Sequence, residues 1–142
     1  MMIPLLRPTE TVETIFDIDF EKLRTLGKQA LLLDFDNTLA EKGTSAMPSV
    51  SNALLANLEK MGFCIGILTN RPPHRTIAGV SFPIIYRARK PLATGYLALL
   101  HQLSSQAKEC VMIGDRYITD VLGGNLLGIH TIRVKTYLAI QD

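Results

Sequence analysis

Five short apolar runs punctuate the chain, at residues 30–33, 64–68, 84–86, 111–113 and 131–134. They consist mainly of Leu, Ile and Val with little polar alternation, as in strands buried on both faces. Helix-length stretches separate them. Residues 48–61 carry Val50, Leu54, Leu58 and Met61 at helical spacing, and Gly62 follows as a stop. Residues 91–103 open on Pro91 and repeat Leu92, Tyr96, Leu99, Leu100 and Leu103. A third helix is expected over 117–127, ended by Gly128, with a shorter one over 72–78 and another near 20–26. Strand and helix in alternation predict an α/β fold, a five-stranded parallel sheet with helices on both faces in a three-layer, Rossmann-like sandwich. Residues 1–29 then form an N-terminal arm packed on the core, and 30–142 the main domain.

Composition narrows the class. The chain has 142 residues, 47% hydrophobic and 20% charged, which fits one globular domain. No apolar run reaches the ~18 residues of a membrane span. The start lacks a basic stretch followed by an apolar one, which argues against a secretory signal and for a cytoplasmic protein. Met1, Met2, Ile3, Leu5, Leu6 and Arg7 either pack on the sheet or touch a membrane surface peripherally. Cys64 and Cys110 are too few for a disulfide framework or a four-cysteine zinc site, and are expected to be buried thiols. Net charge is only +2, but no Asp or Glu occurs between Lys60 and Lys108. Such a one-signed stretch suits an anionic partner.

In a parallel sheet, ligands sit beyond the carboxyl ends of the strands. The first apolar run leads into Asp34-Phe35-Asp36-Asn37-Thr38. A buried unpaired carboxylate costs several kcal/mol, so this pair needs a cation, donors or water. The second run ends in Thr69-Asn70-Arg71-Pro72, a hydroxyl and an amide at an expected helix start. The third leads to Arg87-Ala88-Arg89-Lys90-Pro91, where the proline holds Lys90 extended and off the helix. The fourth ends in Gly114-Asp115, with Asp120 five residues on. Mg²⁺ takes oxygen ligands and commonly uses one or two carboxylates with phosphate and water. Asp34 and Asp115 supply the carboxylates, and the Asp36 carbonyl is a further candidate.

At these residues the sequence resembles the haloacid dehalogenase (HAD) superfamily, and within it the YqeG-type class IIIA phosphatases, which include the mitochondrial phosphatidylglycerophosphatases. The resemblance rests on residues 16–19, 33–39, 86–91 and above all 114–125. It implies a HAD-like catalytic domain and a phosphatase acting through an aspartyl-phosphate. Asp34 would be the nucleophile, Asp36 the general acid and base, Thr69 a phosphoryl contact, and Lys90 the link between phosphoryl group and nucleophile. Asp34, Asp36 and Asp115 would hold Mg²⁺, with Asp120 either a further ligand or a partner of the ligands. Thr69-Asn70-Arg71 departs from the Ser-Asn-Asn usual in such relatives.

The gaps between motifs leave no room for an inserted cap domain, so the site should be open unless a second subunit covers it in a homodimer. Asn70, Arg71, Arg87, Arg89 and Arg116 are candidate substrate contacts, and these arginines together with Arg75 suit a second phosphate, a lipid head group or an anionic membrane surface. Nucleic acid is not an expected partner. A receiver-like phospho-aspartate module is one competing reading, but such modules carry the phosphorylated Asp on a middle strand. A non-catalytic binding protein that kept the fold is a second, against which the presence of Asp34, Asp36, Thr69, Lys90 and Asp115 argues, and a mutase or phosphotransferase, passing the phosphoryl group to another acceptor, is a third.

Overall fold

The computed structural model describes residues 4–137. Strand β1 (Glu10–Val12) is followed by helix α1 (Phe20–Thr25), β2 (Ala30–Leu33), α2 (Ser49–Lys60), β3 (Cys64–Leu68) and β4 (Ile84–Ile85). Helix α3 (Ala93–Gln102) leads to β5 (Cys110–Gly114), a π-helical segment (Tyr117–Leu122), α4 (Gly123–Leu126) and β6 (His130–Val134). The strands form one parallel sheet in the order β1-β6-β5-β2-β3-β4.

The sheet has six strands, not five. Glu10-Thr11-Val12 is too short and polar to read as a strand, yet it pairs with β6 at the sheet edge, Val12 opposite Val134. The side-chain period of two sorts the core residues to two faces. Leu31, Leu33, Ile65, Ile67, Val111 and Ile113 pack with Leu55 and Leu58 of α2 and with Phe20 and Leu23 of α1. Ala30, Leu32 and Met112 pack on the other face with Tyr96, Leu99 and Leu100 of α3. The result is a three-layer sandwich.

Two expected helix positions differ. No helix forms over 72–78. There Ala78 accepts from Met47 N–H and donates to the Ser45 carbonyl, and Ile77 N–H donates to the Tyr86 hydroxyl. These tertiary bonds take up donors and acceptors that a helix would need. Helix α3 begins at Ala93 rather than at Pro91, because Leu92 is still extended and Arg89 has φ 60°. Cys110 is buried as expected, but Cys64, the first residue of β3, is exposed.

Sheet order locates the site. Chain connections run outward from β2 through β3 to β4, then return past β2 to β5. The order therefore reverses between β2 and β5, where ligands bind in open α/β sheets. The two intervals that could host a cap, between β2 and α2 and between β4 and α3, contain no inserted domain.

Candidate active site

Asp34 follows the last residue of β2, and its N–H continues the ladder to the Ile113 carbonyl on β5. That bond fixes the carboxyl at the β2–β5 seam, where it is 8% exposed. Lys90 Nζ donates to Asp34 Oδ1 at 3.0 Å and to Asp120 Oδ1 at 2.8 Å. Thr38 Oγ1 lies 3.4 Å from Asp34 Oδ2. Burial pushes the Asp34 carboxyl up to about 8; Lys90 opposes this, while Asp120 and Asp115 add to it. For Lys90, burial alone would favour the neutral amine, but the Asp34 and Asp120 carboxylates outweigh it and raise its pKa.

Lys90 is held from behind. Asn70 accepts from Lys90 N–H at 2.7 Å and donates its amide to the Lys90 carbonyl at 3.2 Å. Ala88 N–H donates to the Thr69 carbonyl, and Arg87 N–H to the Arg71 carbonyl. The segments after β3 and β4 are thereby laced together. Asn70, expected to contact substrate, lines the pocket but spends its amide orienting Lys90.

Asp120 sits in the first turn after the β5 loop, 1% exposed. Its Oδ2 accepts the Arg116 N–H at 3.1 Å. A Cβ at Gly114 would run into its carboxyl group. The missing side chain at Gly114 therefore makes room for the Asp120 carboxyl group. Tyr96 on α3 donates its hydroxyl to the Thr119 carbonyl at 2.7 Å, which fixes the turn from below.

Asp34, Asp115 and Asp120 bring carboxylate oxygens within 4.8 Å of one another. Three carboxylates face one ammonium, which leaves two negative charges when all are ionised. An all-oxygen set with that charge fits a hard divalent cation such as Mg²⁺. Asp36 stands apart from this cluster: its Oδ1 accepts from Arg71 Nη2 at 2.6 Å and from Gly43 N–H at 2.9 Å.

A pocket of about 260 Å³ joins these groups. Asp34, Asp36, Thr69, Asn70, Arg71, Lys90, Asp115 and Arg116 all line it. Arg87 and Arg89 do not; both are exposed, with φ 48° and 60°. Sequence reasoning did not single out Asn37, Lys42 or Thr119 as site residues, yet each lines the pocket, as does Arg75. Asn37 donates its amide to Asp115 Oδ2 at 3.2 Å and accepts from Tyr137 N–H at 3.1 Å. No local pattern announces these contacts, which span 78 and 100 positions. Their one signal is an Asn at φ 58°, a conformation Asn adopts more readily than most residues.

A parallel three-layer sandwich with acidic groups after β2 and β5, a threonine after β3 and a lysine after the edge strand β4, all meeting at one pocket, has the build of a HAD-like hydrolase. A family model described as "HAD-hyrolase-like" matches residues 87–137. The Bacillus subtilis (strain 168) protein named "Probable phosphatase YqeG" is 35% identical over 133 residues, covering 89% of this chain and 76% of that protein. The chain belongs to the HAD superfamily and, within it, to the family of that protein: it is a HAD-type phosphatase. "Phosphatidylglycerophosphate phosphatase 1, chloroplastic" of Chlamydomonas reinhardtii is 27% identical over 130 residues, covering 83% of this chain, which spans 48% of that protein. The solved 2-haloacid dehalogenase of Pseudomonas syringae pv. Tomato DC3000 shares the fold, with a TM-score of 0.52 at 23% identity over 61% of this chain and 40% of that one.

Proposed function

We propose that this chain hydrolyses a phosphate monoester in a Mg²⁺-dependent reaction that passes through an aspartyl-phosphate on Asp34. The observation that carries the reading is the placement of Asp34, buried at the β2–β5 seam, paired with Lys90 and facing a pocket shared with Asp36 and Thr69. Asp34, Asp115 and Asp120 would hold Mg²⁺, with the Asp36 carbonyl as a further ligand. When bound, the ion offsets the repulsion between carboxylate and phosphate.

The chain's own groups supply the rest. An Asp34 oxygen attacks phosphorus, the Asp34–phosphorus bond forms, and the ester oxygen leaves with its electron pair. Asp36 gives that oxygen its proton. Thr69 Oγ1 and Lys90 Nζ hold the phosphoryl oxygens, stabilisation that is stronger as charge spreads over them. Asp36, now a carboxylate, takes a proton from the water that attacks phosphorus, and Asp34 is regenerated as phosphate departs. General acid–base help of this kind contributes roughly 10²–10⁴ in rate.

The absence of a cap leaves the pocket accessible to a large substrate. The exposed guanidinium groups of Arg87, Arg89 and Arg116 suit a lipid head group at an anionic surface. The name of the Chlamydomonas relative makes phosphatidylglycerophosphate the first candidate. No helix among the described residues is long and apolar enough to cross a membrane, so access to lipid would be peripheral.

The test is phosphate release from lipid, sugar and nucleotide monoesters, with and without Mg²⁺, by wild type and Asp34→Asn. The reading expects Mg²⁺-dependent release and a loss of at least about a thousandfold in the variant. Release that persists in Asp34→Asn, or none from any ester, overturns it.

A further inference from the structure

Arg71 is used at rest in a way that leaves it incomplete. Its side chain is 3% exposed, lies against the Phe35 ring at 5.1 Å and lines the pocket. A guanidinium offers five N–H donors in a rigid fork. Here one bond is good, Nη2 to Asp36 Oδ1 at 2.6 Å. The Nη1 contact to the Arg75 carbonyl is 3.5 Å, and Nε is buried with no partner among the described residues. A buried donor left without an acceptor has lost its water and gained nothing in return, so a ligand that reached the Nε edge would recover what the resting contact forfeits.

The surroundings set the sign of that ligand. Lys42, Arg75 and Arg116 share the pocket wall, and none of them forms an ion pair among the described residues. Asp36 is held at a single oxygen and is 30% exposed on its side chain, so it can rehydrate when released. A phosphate or carboxylate can meet the guanidinium along two parallel N–H bonds, which a one-point contact cannot match. The resting Asp36 oxygen thus occupies a place that a substrate anion would fill better.

We infer that Arg71 is a specificity-determining residue. It leaves Asp36 to clamp, through its Nε and Nη2 edge, a second anionic group on the substrate's leaving portion. The site then prefers phosphomonoesters bearing a further phosphate or carboxylate near the scissile ester over those with a neutral body. Transfer of the clamp also frees the Asp36 carboxyl for the ester oxygen. The substrate side of this inference rests on the phosphatase reading, but the anion clamp does not.

Binding and turnover separate the two. Methylenebisphosphonate and inorganic phosphate are titrated into wild type, Arg71→Gln and Arg71→Lys at fixed Mg²⁺, with circular dichroism to certify folding. Wild type is expected to favour the bisphosphonate by at least about tenfold. Arg71→Gln should lose that margin, and Arg71→Lys most of it, since an ammonium lacks the fork. Chelation of Mg²⁺ by the bisphosphonate is common to all three and leaves the comparison intact. In turnover, phosphoglycerate and glycerol phosphate differ as carboxylate against alcohol. Their kcat/KM ratio should collapse in Arg71→Gln, even as both values fall. A bisphosphonate margin unchanged by substitution, or absent from wild type, overturns the clamp. A margin that behaves as expected in a chain that hydrolyses no ester supports the clamp and sinks the phosphatase reading alone.

Discussion

At the scale of single residues, Asp34 sets the energetics of the site. Among the described residues Lys90 is its one cationic contact, and Lys90 is shared with Asp120. With one ammonium between two buried carboxylates and Asp115 nearby, burial and repulsion lift the Asp34 carboxyl to about 8. The unfolded chain releases that proton near the ordinary carboxylate value of 3.8. Between these limits the folded state binds a proton that the unfolded state has lost. Stability contributed by this group is therefore full below about pH 4 and declines as pH rises through about 8. A divalent cation held by Asp34, Asp115 and Asp120 would take the place of the proton and remove the penalty. Thermal unfolding with and without excess Mg²⁺, at about pH 6 and about pH 8.5, should show larger Mg²⁺ stabilisation at the higher pH. In Asp34→Asn, where no proton can be exchanged at this position, the pH dependence of the Mg²⁺ effect should flatten. A Mg²⁺ shift that shrinks as pH rises in wild type would contradict this assignment of the proton.

At the scale of elements, the β5-to-helix passage shows how local sequence builds the site. Gly114 ends β5, and the missing side chain is what lets the Asp120 carboxyl turn back toward Lys90. Gly114→Ala forces the turn away from the strand, with a stability loss of about 1–3 kcal/mol in denaturant titration. Phosphatase activity should fall far more than that loss explains, because Lys90 is then shared differently. A variant that loses stability but keeps kcat would mean the Asp120 contact is structural only. The alternation of strand and helix was legible because strands buried on both faces read as unbroken apolar runs. The strand ends were legible for the complementary reason, that Asp and Lys have no other business beside such runs. Strand β1 was not legible, since an edge strand of three residues carries neither signal. Residues 72–78 misled because helical composition says nothing about the hydrogen bonds that Met47, Ser45 and Tyr86 offer. Exposure of Cys64 went unread because its run faces solvent at its first position alone. The Arg71–Asp36 pair joins residues 35 apart and depends on the way the segment after β3 crosses the one after β2.

At the scale of the whole molecule, parallel pairing places the carboxyl ends of β2, β3 and β5 along one edge of the sheet. Their amino ends lie four or five residues away, roughly 15 Å at the rise of an extended strand. The two edges differ in kind. At the amino edge the turns around Gly27, Gly62 and Ser104 close on their own backbone bonds, Lys28 N–H on Leu23, Phe63 N–H on Leu58 and Ser105 N–H on Leu100, and the charged side chains that cross from them to other segments, Arg24 and Lys28, reach only backbone carbonyls, those of Met61 and Lys108. At the carboxyl edge the segments depend on one another through charged side chains, with Lys90 spanning Asp34 and Asp120, Asn37 reaching Asp115, and Arg71 reaching Asp36. Local opening is cheapest where few such links hold, and a ligand that bridges segments raises that cost only where it binds. Backbone hydrogen exchange with and without Mg²⁺ should therefore show added protection at residues 34–38 and 115–120, which supply the carboxylates. The turns at the amino edge serve as the internal control and should exchange alike in both conditions. Protection centred instead on the acidic stretch at residues 10–21, or spread evenly over the chain, would place the cation elsewhere and separate the three-aspartate cluster from metal binding. Protection confined to the carboxyl edge would tie together groups that lie about eighty positions apart in the chain, which a general stiffening of the fold cannot do.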